Sequence, residues 1–212
     1  MPRPLSRPVL LEGLAAAADS FDRGELSYLA LTSKAEHVVR DRLAWALSKQ
    51  GHRVAREWRA RGDLAVLDDR GEPLAALESK ATYTHDTVWG KMKGFAEMQR
   101  SVGGVAPLEV KLRADAAKVL LAAGPSPSYV LLIAMHRQDS VPVELRETVS
   151  EADRLPRDWR VAKQQLLGYL RPLGPVSPSI LLGNGSAFGI RMSVTGWLCG
   201  PLKPIELWHT PA

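Results

Sequence analysis

The run Gly62-Asp63-Leu64-Ala65-Val66-Leu67 leads into the polar stretch Asp68-Asp69-Arg70-Gly71-Glu72-Pro73, and then into Leu74-Ala75-Ala76-Leu77-Glu78-Ser79-Lys80. Two apolar runs around a turn-forming segment predict a β-hairpin. Both runs are apolar at successive positions, as in strands buried on two faces. The strongest strand signal, Tyr129-Val130-Leu131-Leu132-Ile133-Ala134-Met135, predicts a central strand. Looser alternation over 52–59 (Val54, Arg56, Trp58) predicts a strand ahead of the hairpin.

Helical patterning falls on both sides of these strands. It predicts helices over 10–21, 34–50, 86–99, 107–123 and 156–170. In the second of these, Glu36, Val39, Arg40, Leu43 and Leu47 share a face. Ser33 with Glu36 makes a capping-box signature, and Gly51 supplies a stop. Residues 1–8 read as an extended tail and 137–156 as a polar loop region. Near the C-terminus, 180–182 and 188–192 flank Gly183-Asn184-Gly185-Ser186, which predicts a hairpin turning on those four residues. Further strands are predicted near 194–198 and 205–209. The chain divides into a tail and helix (1–32), a core (33–136) and a C-terminal α/β extension (137–212) packed on that core. That extension is free to lengthen the sheet, grip a substrate or make a dimer contact.

Composition narrows the class. With 212 residues, 45% of them hydrophobic, the chain can bury one sizeable core. A formal net charge of +5 favours a polyanionic partner, against the plainer reading of a moderately basic protein. One cysteine, Cys199, excludes an internal disulfide and fits a reducing compartment. The five histidines (His37, His52, His85, His136 and His209) show no zinc-ligand spacing with it. The apolar stretch 9–18 is broken by Glu12, and is too short to span a bilayer. The expected location is therefore cytoplasmic, with no membrane partner.

Against this background the charges in the hairpin stand out. Asp63 opens the first apolar run, and Glu78 and Lys80 close the second. Charged groups in such surroundings are paired or bound to a metal. Residues two apart on a strand share a face, so Glu78 and Lys80 project together and Ser79 points away. Hairpin pairing brings Asp63 beside them. The alternative is an ordinary strand-end ion pair with Asp63 as a turn residue.

Asp63, a spacer, then Glu78-Ser79-Lys80, with Glu36 on the preceding helix, resembles the active-site motif of the PD-(D/E)XK nucleases, the restriction-endonuclease-like superfamily. Gly62 stands where the motif's name has Pro, a replacement common in that superfamily. The resemblance covers about residues 33–136. It implies an α/β fold with an αβββαβ core, in which helices flank a mixed central sheet. It also implies Mg²⁺ or Mn²⁺ held by Asp63, Glu78 and a carbonyl such as that of Ser79, with Glu36 available for a second metal. Lys80 would orient the attacking water or stabilise developing negative charge. Glu36 has two readings, a metal ligand or a cap of its own helix.

Tyr83, His85, Lys91 and Arg61 are the candidate nucleic-acid contacts around the motif. For the segment after Lys80 the alternative is a loop leading into a helix, with Thr84 or Asp86 as cap. Arg53, Arg59 and Arg61 share one strand parity and Arg56 the other, so they form no single basic stripe. Trp45 and Trp58 read as core residues. No helix-turn-helix, zinc finger, P-loop or nucleophile elbow is present in the sequence.

The expected function is a metal-dependent phosphodiesterase acting on DNA, an endonuclease rather than an exonuclease, in restriction, defence or repair. The resemblance further implies a homodimer, and a short chain with no recognisable reader domain adds the alternative of a subunit of a larger complex. The alternatives are a non-catalytic nucleic-acid-binding or assembly subunit on the same fold, and a small-molecule hydrolase or regulatory protein.

Overall fold

A computed structural model describes residues 5–22, 24–33, 35–58, 62–84, 108–149 and 158–206. Three helices come first: α1 (Arg7–Asp19), α2 (Glu25–Thr32) and α3 (Glu36–Lys49). Strands β1 (Arg53–Trp58), β2 (Gly62–Leu67) and β3 (Pro73–Tyr83) follow, then α4 (Leu108–Ala123) and β4 (Ser128–Arg137). A 3₁₀ turn (Val143–Leu145), α5 (Trp159–Leu170), β5 (Ile180–Ala187) and β6 (Ile190–Cys199) complete the described elements. The helix expected over 86–99 lies outside the described residues.

The strands form one mixed six-stranded sheet in the order β1-β2-β3-β4-β6-β5. Only β3 and β4 run parallel; every other neighbour is antiparallel. The C-terminal part therefore continues the sheet beside β4. Lying between β3 and β6, β4 is buried at every position, which is why its sequence is continuously apolar.

Helices cover both faces, giving an α/β architecture. On one face α1, α2 and α3 pack against Leu64, Val66, Leu77, Leu131, Ile133 and Val194. On the other, α4 and α5 pack against Ala76, Val130, Leu132, Ala134 and Trp197. In β3 the odd-numbered residues Ala75 and Leu77 face α1–α3, and the even-numbered Ala76 faces α4 and α5. That parity fixes where the charged residues of β3 point. Among the described residues, no helix is long and apolar enough to cross a membrane.

Several local expectations are corrected. Helix α1 starts at Arg7, so the tail is shorter than expected. No sequence periodicity marks α2, whose N-cap is Gly24 rather than a side chain that could signal a start. Ser33 does not cap α3; its hydroxyl donates to the Leu29 carbonyl of α2. Trp45 is 59% exposed, with the Lys49 ammonium over its ring, so it is not a core residue. Trp58 is buried.

The C-terminal hairpin turns at Phe188-Gly189, both with positive φ (54° and 74°), as a two-residue type I′ connection requires. Gly183-Asn184-Gly185-Ser186 lies inside β5 instead. A Cβ on Gly183 would stand 3.0 Å from Leu26 Cδ2, and one on Gly185 3.1 Å from Ser27 Oγ. Those glycines let α2 approach the strand. The strands expected over 188–192 and 194–198 are one, β6. Ile205 and Glu206 lie in a 3₁₀-type turn, and the rest of the strand expected over 205–209 lies outside the described residues.

Candidate functional site

Strand β3 outruns its neighbour. Pairing with β2 extends from Pro73 only to Leu77, opposite Leu64, while β3 continues to Tyr83. Beyond that point the N–H groups of Ser79 and Ala81 face the position that β2 has vacated, and a buried N–H must find another acceptor. Two carboxylates supply it. Asp63 Oδ2 accepts from Ser79 N–H at 2.8 Å and also from the Ser79 hydroxyl. Glu36 Oε2, from the first turn of α3, accepts from Ala81 N–H at 2.8 Å.

Glu36 therefore does not cap its own helix. The N-cap position is Ala35, whose methyl group can make no capping bond, and the Glu36 carboxylate is directed to the sheet. One turn further along α3, Arg40 is 7% exposed and lies 3.7 Å from both Asp63 Oδ1 and Glu57 Oε1. Glu57 itself adopts φ 52°, an uncommon backbone state for a residue other than glycine.

Asp63 and Glu78 are neighbours. Asp63 N–H donates to Glu78 Oε2 at 3.2 Å, one residue beyond the last β2–β3 pair. Glu78 Oε1 accepts from Lys118 Nζ of α4 at 2.8 Å. On the same face of β3, Lys80 Nζ lies 3.4 Å from Asp115 Oδ2, also on α4. Expectation and structure thus agree that Asp63 and Glu78 adjoin and that Glu78 and Lys80 share a face. They differ over the amine: the one bonded to Glu78 belongs to Lys118, and Lys80 faces Asp115.

Burial pushes the Glu78 carboxyl up to about 7. The Lys118 hydrogen bond and charge oppose that rise, and the carboxylates of Asp63 and Asp115 add to it. Lys118 itself is shifted upward: burial works against its ammonium, but the hydrogen bond to Glu78 and three surrounding carboxylates outweigh it. The two partners thus respond unequally to one ion pair. The asymmetry follows from exposure, since the Glu78 side chain is 6% exposed and that of Lys118 41%. Desolvation falls mainly on the carboxylate, and it is the direction for Glu78 that matters at neutral pH.

Among the described residues, no group of three or more His, Cys, Asp or Glu side chains could hold a metal ion. Two adjacent carboxylates are nevertheless a suitable donor set for Mg²⁺, which commonly takes one or two carboxylates and fills its shell with water and substrate phosphate. Glu78, with only 6% of its side chain exposed, sets its carboxylate beside that of Asp63, and the two fit a divalent cation on the chemistry of that donor set. Ser79 contributes its N–H and hydroxyl to the site, as donors that orient Asp63.

Comparison of the chain with protein-family models, with curated proteins and with solved structures finds no match.

Of the expected nucleic-acid contacts, Arg61, His85 and Lys91 lie outside the described residues. Tyr83 is corrected. It is buried on the face opposite Glu78 and Lys80, with its hydroxyl donating to the Ala30 carbonyl at 2.7 Å, so it ties β3 to α2 rather than meeting a substrate. Thr84 Oγ1 shares a 3.0 Å hydrogen bond with His136 Nδ1, and the helix it was expected to cap lies outside the described residues. Burial keeps the His136 imidazole below its ordinary value, opposed by the charge of Asp158.

Sequence reasoning missed Arg40, Asp115 and Lys118 as site residues. Asp115 carried a signal, because it falls three positions after Leu112 and four before Val119, on the stripe that α4 buries. A carboxylate in an apolar stripe calls for a partner. Lys118, partly exposed at the stripe's margin, carried none.

Proposed function

We propose that this chain is a metal-dependent nuclease, hydrolysing phosphodiester bonds in DNA on a restriction-endonuclease-like fold. The observation that carries this reading is the convergence of Asp63 and Glu78 where β2 leaves β3, with Lys80 on the Glu78 face. The order of described elements from α3 to β4 (helix, three strands, helix, strand) supports it, as does the basic charge of the chain.

In this reading Asp63 and Glu78 hold Mg²⁺ or Mn²⁺. When bound, the ion supplies a water acidified for attack and charge to offset that of the phosphate. The chain's own groups do the rest. Ser79 fixes the Asp63 carboxylate through two donors, so the ligand enters pre-oriented. Arg40 sets positive charge behind Asp63. Lys80, positioned by Asp115, offers an ammonium to the charge that develops on the phosphoryl oxygens. Glu36 serves the Ala81 N–H, and its place in this scheme is to hold α3 against β3.

One observation favours a second reading, a non-catalytic nucleic-acid-binding or assembly subunit. Asp63, Glu36 and Glu78 each already have a protein partner, so the cluster closes on itself without a cation. Incubating the protein with plasmid, linear duplex, single-stranded DNA and RNA, in Mg²⁺ or Mn²⁺ and in EDTA, separates the two. Metal-dependent cutting supports the nuclease. Salt-sensitive binding without cutting supports the binding subunit.

A further inference from the structure

Helix α4 brings Asp115 and Lys118 to the site, three positions apart on one helical face. They meet Lys80 and Glu78, two positions apart on β3, with the charges reversed, so each pair joins a carboxylate to an ammonium across the two elements. The pairs are unequal. Lys118 and Glu78 are at hydrogen-bonding distance, 2.8 Å, whereas Lys80 and Asp115 stand 3.4 Å apart. A carboxylate only 6% exposed, as Glu78 is, needs a cation in contact. Its cation is carried on a side chain 41% exposed, and a lysine ammonium on its four-carbon stem can swing into water.

Resting on the metal-dependent reading above, we propose that Lys118 is a resident counter-ion of Glu78, which competes with a divalent cation for that carboxylate and releases it when the cation binds. Two cations on Glu78 Oε1 repel one another, and the divalent ion carries the larger charge and gains Asp63 as well. Lys118 is the partner able to move, since Glu78 is fixed in β3 and its second oxygen is held by Asp63 N–H. The released ammonium turns to the solvent side, where a substrate phosphate is a suitable partner. Lys80 keeps its place beside Asp115. Helix α4 thereby sets how tightly the site holds its metal, a role apart from the chemistry itself.

Titration of the full chain with MnCl₂ by calorimetry tests this, using wild type, Lys118→Met, Lys118→Arg and Glu78→Gln. Lys118→Met removes the competing charge but keeps an apolar stem, and should bind Mn²⁺ on the order of tenfold more tightly than wild type. Lys118→Arg retains a cation and should stay within about twofold of wild type. Glu78→Gln should lose binding. Unchanged or weaker binding by Lys118→Met, with wild type binding and Glu78→Gln not, overturns the counter-ion role and leaves the metal-dependent reading standing. Absence of binding in both wild type and Lys118→Met overturns both, as does binding that Glu78→Gln leaves unchanged. Should Lys118→Met prove too unstable for calorimetry, the rise in Tm on adding Mn²⁺ is read instead. A larger rise than in wild type supports the proposal, and an equal or smaller one overturns it.

Discussion

The Glu36 carboxylate accepts a hydrogen bond from the Ala81 N–H at 2.8 Å, joining the start of α3 to the far end of β3. The bond fills a ladder position that β2 has vacated. Removing the acceptor should leave a partly buried N–H unpaired, at a cost of about 1–3 kcal/mol. Glu36→Ala should therefore lower the free energy of urea unfolding by that amount, while Glu36→Gln, which keeps an acceptor oxygen, should lose less. Equal losses in the two variants would show that the charge, and not the hydrogen bond, is what matters.

Glu78 makes stability depend on pH. Its carboxyl is raised from 4.5 to about 7, so between those values the native state retains a proton that the unfolded chain has released. A native state that binds the extra proton is favoured at low pH, and its contribution is lost as pH rises through about 7. In EDTA, wild-type stability should fall across this window relative to Glu78→Gln by about 2 kcal/mol, the full effect being reduced by water around the exposed Lys118 end. Parallel pH profiles for the two proteins would contradict this.

The close approach of α2 to β5 gives a packing prediction. In Gly185→Ala the new Cβ would lie 3.1 Å from Ser27 Oγ and 3.3 Å from Gly24 Cα, the second a backbone atom that cannot rotate aside. The substitution should destabilise by about 1–3 kcal/mol in urea unfolding. An unchanged midpoint would mean that α2 is free to shift.

What the sequence conveyed, and what it did not, follows from where each signal resides. The hairpin of β2 and β3, the strand β4 and the helix α4 announce themselves because burial on two faces or one stripe writes a pattern into consecutive residues. Helix α2 has eight residues and a glycine N-cap, too little for periodicity or a capping motif to register. Gly183 and Gly185 have the composition of a turn, yet they are required by the close approach of α2, a helix from the far end of the chain. Ser33 and Glu36 match a capping box, yet Ser33 bonds back to the last turn of α2 and Glu36 is drawn to β3 by a tertiary contact. In the site, strand parity placed Glu78 beside Asp63 and on the face of Lys80. It could not supply Lys118, because the phase of α4 against the sheet is set by packing alone.

Cys199 should be inert in the native protein. It is fully buried, its thiol faces the Leu170 carbonyl at 3.4 Å, and burial pushes it up to about 12. Only the thiolate is a good nucleophile. At pH 8 a thiol reagent should label the protein at the rate of unfolding, and immediately in denaturant. Rapid native-state labelling would contradict the burial.

The most direct measurement is cleavage of supercoiled plasmid DNA in Mn²⁺, comparing wild type with Asp63→Ala and Lys80→Ala, each checked for folding by circular dichroism. The nuclease reading predicts nicking or linearisation by wild type that EDTA abolishes, and a loss of at least about a hundredfold in each folded variant. Cleavage that persists in EDTA, or that survives in folded Asp63→Ala, would contradict it.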